Sequence, residues 1–280
     1  MEQKETKKKK TTARVYSQRE LAPDIYDMWL ETELAKEVRA GAFIAVYPKD
    51  KSTLLPRPIS ICEADAQNGR LRIVYRIAGK GTREFSAYEP GESVEILGIL
   101  GNGFPLEKAE GKRVFLMGGG IGVPPILETA RQLAQRAQKA AAGHGEAACG
   151  PAKCDIIVGY RDSRLFLKED LEQYGTVHIA TEDGSVGTRG NVMDAIGQEG
   201  LSADVIFACG PMPMLRAIKN YAQQNGIEAY ISLEERMACG VGACLGCVCK
   251  TKNVDHHSHV HNARICTDGP VFDAREVEIG

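Results

Sequence analysis

The sequence predicts a small antiparallel β-barrel, then a doubly wound parallel α/β sheet, then a compact C-terminal module organised by cysteines. Three observations carry this. Residues 11–108 hold short runs rich in β-branched and aromatic residues, cut by turn signals. From Gly111 strands alternate with helices, which implies a parallel sheet. Beyond residue 234, four cysteines fall within eleven residues, and Cys266 follows.

In the barrel region the strand candidates are Ala13–Ser17, Ile25–Glu31, Phe43–Tyr47, Arg70–Ala78 and Ser93–Leu97. Pro48-Lys49-Asp50, Gln67-Asn68-Gly69 and Glu89-Pro90-Gly91 supply turns between them. Six or so strands at this spacing suit a small barrel. Arg57-Pro58-Ile59-Ser60 lies inside it. Arg57 has the fork geometry to clamp a phosphate, and Ser60 can hydrogen-bond a flavin ring. Val74-Tyr75-Arg76 adds an aromatic for stacking and a second guanidinium. Gly81-Thr82 offers backbone and hydroxyl donors to a pyrophosphate. Each fragment alone is equally ordinary barrel sequence.

In the α/β region Val114–Met117 reads as a buried strand running into Gly118-Gly119-Gly120-Ile121-Gly122. Pro124-Pro125 opens a helix whose apolar positions Ile126, Leu127, Ala130, Leu133, Ala134 and Ala137 share one face. Further strands are expected at Asp155–Tyr160, Val177–Thr181, Asp204–Ala208 and Ile227–Ser232, and a helix over Met212–Gln224. Gly118, Gly120 and Gly122 form a phosphate-binding turn candidate at a helix N-terminus. Val123 stands where a full dinucleotide fingerprint has its third glycine. Cys209-Gly210-Pro211 sits at a strand end, where open α/β sheets bind ligands. Its thiol either faces a nicotinamide ring or is buried in a tight turn. Ala140 to Lys153, with Cys149 and Cys154 at its end, reads as a surface insertion.

Cys239, Cys244, Cys247 and Cys266 follow the C-x4-C-x2-C…C spacing of a plant-type [2Fe–2S] cluster. Gly240, Gly242 and Gly246 let the backbone wrap the sulfurs and aim N–H groups at them. The competing reading is a structural zinc site using Cys244/Cys247 with His256, His257, His259 or His261. Cys249 is a fifth thiol, outside the spacing, and reads as a neighbour of the ligands. The histidine stretch reads as a solvated loop.

The chain has 280 residues and a formal charge of −2. Near-neutral charge argues against a nucleic-acid partner. No apolar run approaches the roughly 18 residues of a membrane span, so no membrane segment is expected. Nine clustered cysteines point to metal ligation in a reducing, cytoplasmic setting. The basic run Lys7–Lys10 lacks the apolar stretch of a signal peptide. The expected units are a flexible basic tail (1–10), a barrel (11–108), an α/β domain (111–233) and a cysteine module (234–280).

The order of these motifs resembles ferredoxin–NADP reductase-type flavoproteins. Glu234-Glu235-Arg236-Met237-Ala238-Cys239-Gly240, with Cys244, Cys247 and Cys266-x-Asp268-Gly269-Pro270-Val271-Phe272, resembles more narrowly the electron-transfer subunits of class 1B dihydroorotate dehydrogenases. The resemblance covers nearly all of residues 11–275. It implies FAD held by Arg57, Pro58, Ile59, Ser60, Val74, Tyr75, Arg76, Gly81 and Thr82. It implies NAD as co-substrate at the second domain, and Cys239, Cys244, Cys247 and Cys266 as cluster ligands. It further implies an FMN-containing partner that oxidises dihydroorotate in pyrimidine (UMP) synthesis, in a heterotetramer of two plus two. Electrons would then enter through the cluster, pass to FAD and leave as hydride on NAD⁺, with no acid–base catalyst of this chain's own. The alternatives are a reductase component linked to sulfide, ferredoxin or glutamate, and a zinc-stapled nucleotide-binding regulator.

Overall fold

The structure, a computed structural model, describes residues 9–141, 151, 153–254 and 259–279. Cys149 with most of its Ala/Gly-rich stretch, His256, His257 and the first eight residues lie outside the described residues.

Six strands close a barrel in the order β1 (Lys9–Ala22), β2 (Ile25–Glu31), β5 (Arg70–Arg76), β4 (Arg57–Asp65), β3 (Phe43–Tyr47) and β6 (Ser93–Leu100). Every pairing is antiparallel. Strand parity fills the interior: Met28 and Leu30 of β2 and Leu71, Ile73 and Tyr75 of β5 share one core. β1 starts before the expected tail ends. Lys9 and Lys10 pair with β6, and Lys10 Nζ reaches Glu95 at 3.0 Å. A short helix, α1 (Lys80–Phe85), follows β5.

β4 was not among the expected strands, because Pro58 removes a ladder donor and demotes the run. It nonetheless sits between β3 and β5. Ile61 and Cys62 in its middle and Leu71–Tyr75 of β5 are buried on both faces, because the second domain covers the barrel's outer wall there. Glu128 accepts a hydrogen bond from the Ala64 N–H at 3.2 Å. Arg72 pairs with Asp27 at 2.9 Å and with Asp170 across the seam at 3.0 Å.

The second sheet is ordered β10 (Thr188–Arg189), β9 (Thr176–Thr181), β8 (Lys153–Tyr160), β7 (Arg113–Gly119), β11 (Val205–Cys209), β12 (Glu228–Ser232), β15 (Val271–Asp273). All are parallel except β15. Alternate residues of β7 face opposite cores. Val114 and Leu116 meet α2 (Val123–Ala141) and α3 (Lys168–Leu171). Phe115 and Met117 share a core with α4 (Val192–Glu199) and α5 (Met212–Asn225). The strand order reverses between β7 and β11, and that switch point is where such sheets bind ligands. Pro124 and Pro125 occupy the first turn of α2, where N–H groups have no helical acceptor.

The cysteine module is not separate from this sheet. Its strand β15 runs antiparallel along β12, and β13 (Val248–Lys250) pairs with β14 (Asn262–Arg264). Among the described residues, no helix is long and apolar enough to cross a membrane.

Candidate functional site

The site is the cleft between the open end of the barrel and the C-terminal ends of β7, β11 and β12. Arg57, Pro58, Ile59 and Ser60 are all half-buried, whereas Ile61 and Cys62 beyond them are fully buried. The first half of β4 is thus an uncovered strip. Gly81 lies under the Arg57 guanidinium, and a Cβ on Gly81 would come 2.8 Å from Arg57 Nε. Glycine is needed there to let the side chain lie flat over α1. Arg76 stands exposed at the end of β5, which lies against the Gly120–Gly122 turn.

Two expected contacts are corrected. Tyr75 is only 1% exposed. Its ring stacks on Tyr26 at 5.9 Å, and its hydroxyl donates to Gln18 Oε1 at 2.9 Å. The odd residues of β5 point into the barrel, so this ring cannot stack on a flavin, and only its backbone faces the strip. The Thr82 hydroxyl is likewise committed. It accepts the N–H groups of Ala78 (2.8 Å) and Gly79 (3.2 Å) and so caps α1. Val74 is buried in the seam with Val114 and Val123.

Across the cleft, the glycine turn and the Cys209-Gly210-Pro211 turn are packed together. A Cβ on Gly122 would lie 2.3 Å from the Cys209 carbonyl oxygen. Gly120 is the opposite case: its φ is +53°, and a Cβ would meet nothing within 4 Å. The open backbone at Gly120, ahead of α2, is the part of Gly118–Gly122 that suits a pyrophosphate. Gly118 is instead packed on Val123: a Cβ there would lie 3.0 Å from the Val123 Cα. Cys209 takes the buried alternative. Its thiol is 1% exposed and burial pushes its pKa up, so Gly210 and Pro211 are the accessible part of the turn.

Sequence reasoning gave Glu234 no role in this cleft. It follows β12 directly, beside the Cys209 turn. Burial raises its carboxyl and the Arg76 guanidinium opposes that shift. It is nevertheless open to solvent. The available signal was positional: a carboxylate at the carboxyl end of a strand next to the switch point.

From Glu234 the chain runs straight to Cys239. The Cys239 sulfur accepts N–H groups from Val241 (3.4 Å), Ala243 (3.3 Å) and Cys244 (3.4 Å), and Cys244 Sγ accepts one from Gly246 at 3.4 Å. Burial alone would raise the Cys239 thiol, but those N–H groups outweigh it and hold the pKa at about 6. Gly240 and Gly242, at φ +67° and +85°, turn the backbone so that this is possible. Cys266 is brought in by its own loop. Ile265 N–H donates to the Cys247 carbonyl at 2.9 Å. Burial and the neighbouring Cys247 push the Cys266 thiol up to about 12. Asn102, from the barrel, donates to the Asp268 and Val271 carbonyls (3.0 and 2.7 Å) and fixes that loop. Cys247 and Cys266 are buried against Phe43, Leu97 and Leu100 of the barrel wall, whereas Cys244 is exposed.

Cys249 lies on β13, packed against this core, and burial pushes its thiol up to about 11. Among the described residues, no three His, Cys, Asp or Glu side chains converge as they would around one ion. His261 Nδ1 instead meets the Lys252 carbonyl at 2.9 Å. Four cysteines, with the Cys239 and Cys244 sulfurs held by N–H donors, suit a two-iron cluster, in which each iron takes two thiolates.

Comparison with known proteins agrees with this geometry. The family model of the iron–sulfur cluster binding domain of dihydroorotate dehydrogenase B matches residues 234–278, and that of the oxidoreductase NAD-binding domain matches 116–220. The dihydroorotate dehydrogenase B (NAD(+)) electron transfer subunit of Bacillus caldolyticus is 42% identical over 267 residues, 94% of this chain and 96% of that protein. The chain belongs to this family. The Streptococcus mutans electron transfer subunit is 39% identical, with 94% of this chain and 96% of that protein covered. A chain of an NADH-dependent reduced ferredoxin–NADP oxidoreductase superposes with a TM-score of 0.79 at 24% identity, covering 95% of this chain and 89% of that one. A ferredoxin–NADP⁺ reductase from Neisseria gonorrhoeae superposes at 0.64 and 15% identity, covering 81% and 94%. Those two likenesses establish a shared fold. Membership in the electron transfer subunit family rests on the sequence matches.

Proposed function

We propose that this chain carries electrons from an FMN-containing subunit that oxidises dihydroorotate to NAD⁺, as a cytoplasmic step of pyrimidine synthesis, in a heterotetramer of two plus two. In this reading the barrel (11–108) holds FAD, the α/β unit (111–233) holds NAD, and residues 234–280 hold a [2Fe–2S] cluster on Cys239, Cys244, Cys247 and Cys266. Arg57 clamps the FAD pyrophosphate, with Gly81 and the α1 backbone beside it. Pro58, Ile59 and Ser60 line the flavin strip, Val74 and Tyr75 contribute backbone, and Arg76 closes its edge. Gly120, Gly210 and Pro211 face the nicotinamide nucleotide, with Gly118, Gly122 and Cys209 holding the turns in shape. When bound, the flavin would exchange single electrons with the cluster and a hydride with NAD⁺. The residues of this chain supply placement, shielding and local charge.

The observation that carries the reading is continuity. One short segment joins the cleft floor at Glu234 to the first sulfur at Cys239, and the two buried sulfurs lie on the outer wall of the same barrel. Its test is co-expression with the FMN subunit, identification of bound flavins, iron and labile sulfide, and an assay of dihydroorotate-driven NAD⁺ reduction. The expected result is a 2:2 complex containing FAD, FMN and iron that couples the two reactions. A purified chain without flavin or iron refutes it. A partner unable to oxidise dihydroorotate moves the chain to another reductase complex.

A further inference from the structure

Two segments carry the four cysteines. One is the 239–247 loop, and the other is the 264–269 turn, which presents Cys266. They are packed directly on each other: a Cβ on Gly242 would lie 2.9 Å from Thr267 Cγ2. The Gly242 N–H donates to the Cys266 sulfur. This glycine is therefore a bridge between the segments that hold the sulfurs.

The 264–269 turn is tied by one ion pair. Asp268 Oδ2 accepts the Arg264 backbone N–H at 2.8 Å and Nε at 3.0 Å, and Oδ1 accepts Nη2 at 3.0 Å. Thr267 Oγ1 donates to Oδ1 at 3.2 Å. A bidentate pair of this kind fixes the plane of the guanidinium. Its remaining nitrogen, Nη1, faces Gly242 and lies 3.5 Å from where a Cβ would stand. The positive end of the pair is thus set behind the glycine that holds the Cys266 sulfur. The carboxylate is close enough to Cys249 for its charge to raise that thiol. Both side chains are largely covered, at 22% and 30% exposure. Glu235, Arg236 and Lys250, the charged residues that flank the loop in sequence, are exposed, so solvent screens them.

One-electron reduction adds a negative charge to a two-iron cluster, and nearby charge is one of the quantities that set its potential. A guanidinium held beside the sulfurs favours the reduced form, and a carboxylate opposes it. We propose, on the ligand set given above, that Arg264 and Asp268 tune the cluster as a fixed pair, Arg264 raising its reduction potential and Asp268 limiting that rise. Neither residue ligates iron. Both act by charge from a held position, and the pair governs how readily this chain accepts an electron.

The test is a redox titration of the full holoprotein, followed by electron paramagnetic resonance of the reduced cluster, with iron and labile sulfide counted in each variant. Arg264→Gln lowers the equilibrium constant for one-electron reduction about tenfold, or about 59 mV, as loss of a unit charge at short range does. Asp268→Asn, which keeps an oxygen for the Arg264 N–H, raises it by a similar factor. Arg264→Lys keeps the charge and stays near the wild type, and Arg264→Gln/Asp268→Asn returns close to it. Asp204→Asn, which breaks the Arg113 pair at the amino end of β11, leaves the potential alone. Opposite signs are the signature, because a merely structural role moves both single variants the same way or costs them iron. Shifts of the same sign, or no shift with iron retained, overturn the proposal. Should Asp268→Asn lose iron, Arg264→Gln against Arg264→Lys decides alone, and equal potentials in those two overturn it. A wild-type protein without iron counts against the ligand reading instead, so the two failures are separable.

Discussion

Gly122→Ala tests whether the two turns of the nucleotide site are packed as described. The added methyl would sit 2.3 Å from the Cys209 oxygen, 2.5 Å from its carbonyl carbon and 2.7 Å from Gly210 N, against 3.4–4 Å for ordinary contact. The obstacle is backbone. β11 is held by parallel ladders to β7 and β12, so it cannot yield cheaply. Gly122 has no positive φ, so backbone strain adds nothing. Without the clash, a glycine-to-alanine change would stabilise by about 0.4–1 kcal/mol through the unfolded chain. With it, overpacking costs roughly 3 kcal/mol, the upper part of the usual range. The net loss of about 2–2.6 kcal/mol lowers Tm by roughly 4–10 °C, at about 2–4 °C per kcal/mol for a chain of this size. Gly120→Ala is the contrast. It has open space, and its left-handed φ costs about 1–2 kcal/mol, but in the nucleotide reading proposed above the methyl would meet the pyrophosphate. Thermal melting and NADH-dependent ferricyanide reduction separate the two. Gly122→Ala lowers Tm strongly, whereas Gly120→Ala mainly raises KM for NADH. A Gly122→Ala protein that melts with or above the wild type refutes the packing argument.

Arg72→Met leaves Asp27, 2% exposed, without its buried partner and costs about 3–5 kcal/mol in urea unfolding, whereas Arg113→Met at an exposed pair costs under about 1 kcal/mol. In the metal-free protein, Cys239 alkylates with an apparent pKa near 6, and Cys249 stays protected until about 11. Because the folded value of Cys239 is depressed, its contribution to metal-free stability is full above the unfolded thiol pKa of about 8.5 and is lost as pH falls through about 6. A Cys239 titrating near 9 refutes the N–H cradle. Cys249→Ser retains full iron and labile sulfide, while Cys266→Ser loses them. Loss of iron in Cys249→Ser reassigns the ligand set.

What the sequence revealed was whatever is local and chemically specific. The x4, x2 spacing of Cys239, Cys244 and Cys247 is a property of one loop, and the hydrophobic run Val114–Met117 is long enough to announce a strand buried on both faces. The direction of a side chain at a strand end was not legible. Tyr75 and Arg76 are neighbours, yet strand parity sends one into the barrel and the other into the cleft. Cys209 was ambiguous for the same reason. β4 was hidden by Pro58, and β15 by its length of three residues after a Gly-Pro turn. Glu234 and Asn102 acquire their roles only from partners far away in sequence, Arg76 for one and the 268–271 loop for the other.

The Asn102 clasp bears on how the protein matures. Three of the four thiols sit on one loop, but the fourth is presented by a segment pinned at once to the barrel, through Asn102, and to the sheet, through β15. A chain whose two halves have not yet docked therefore offers an incomplete set of sulfurs. On the ligand set proposed above, the cluster is completed by a segment that the barrel and the sheet hold together.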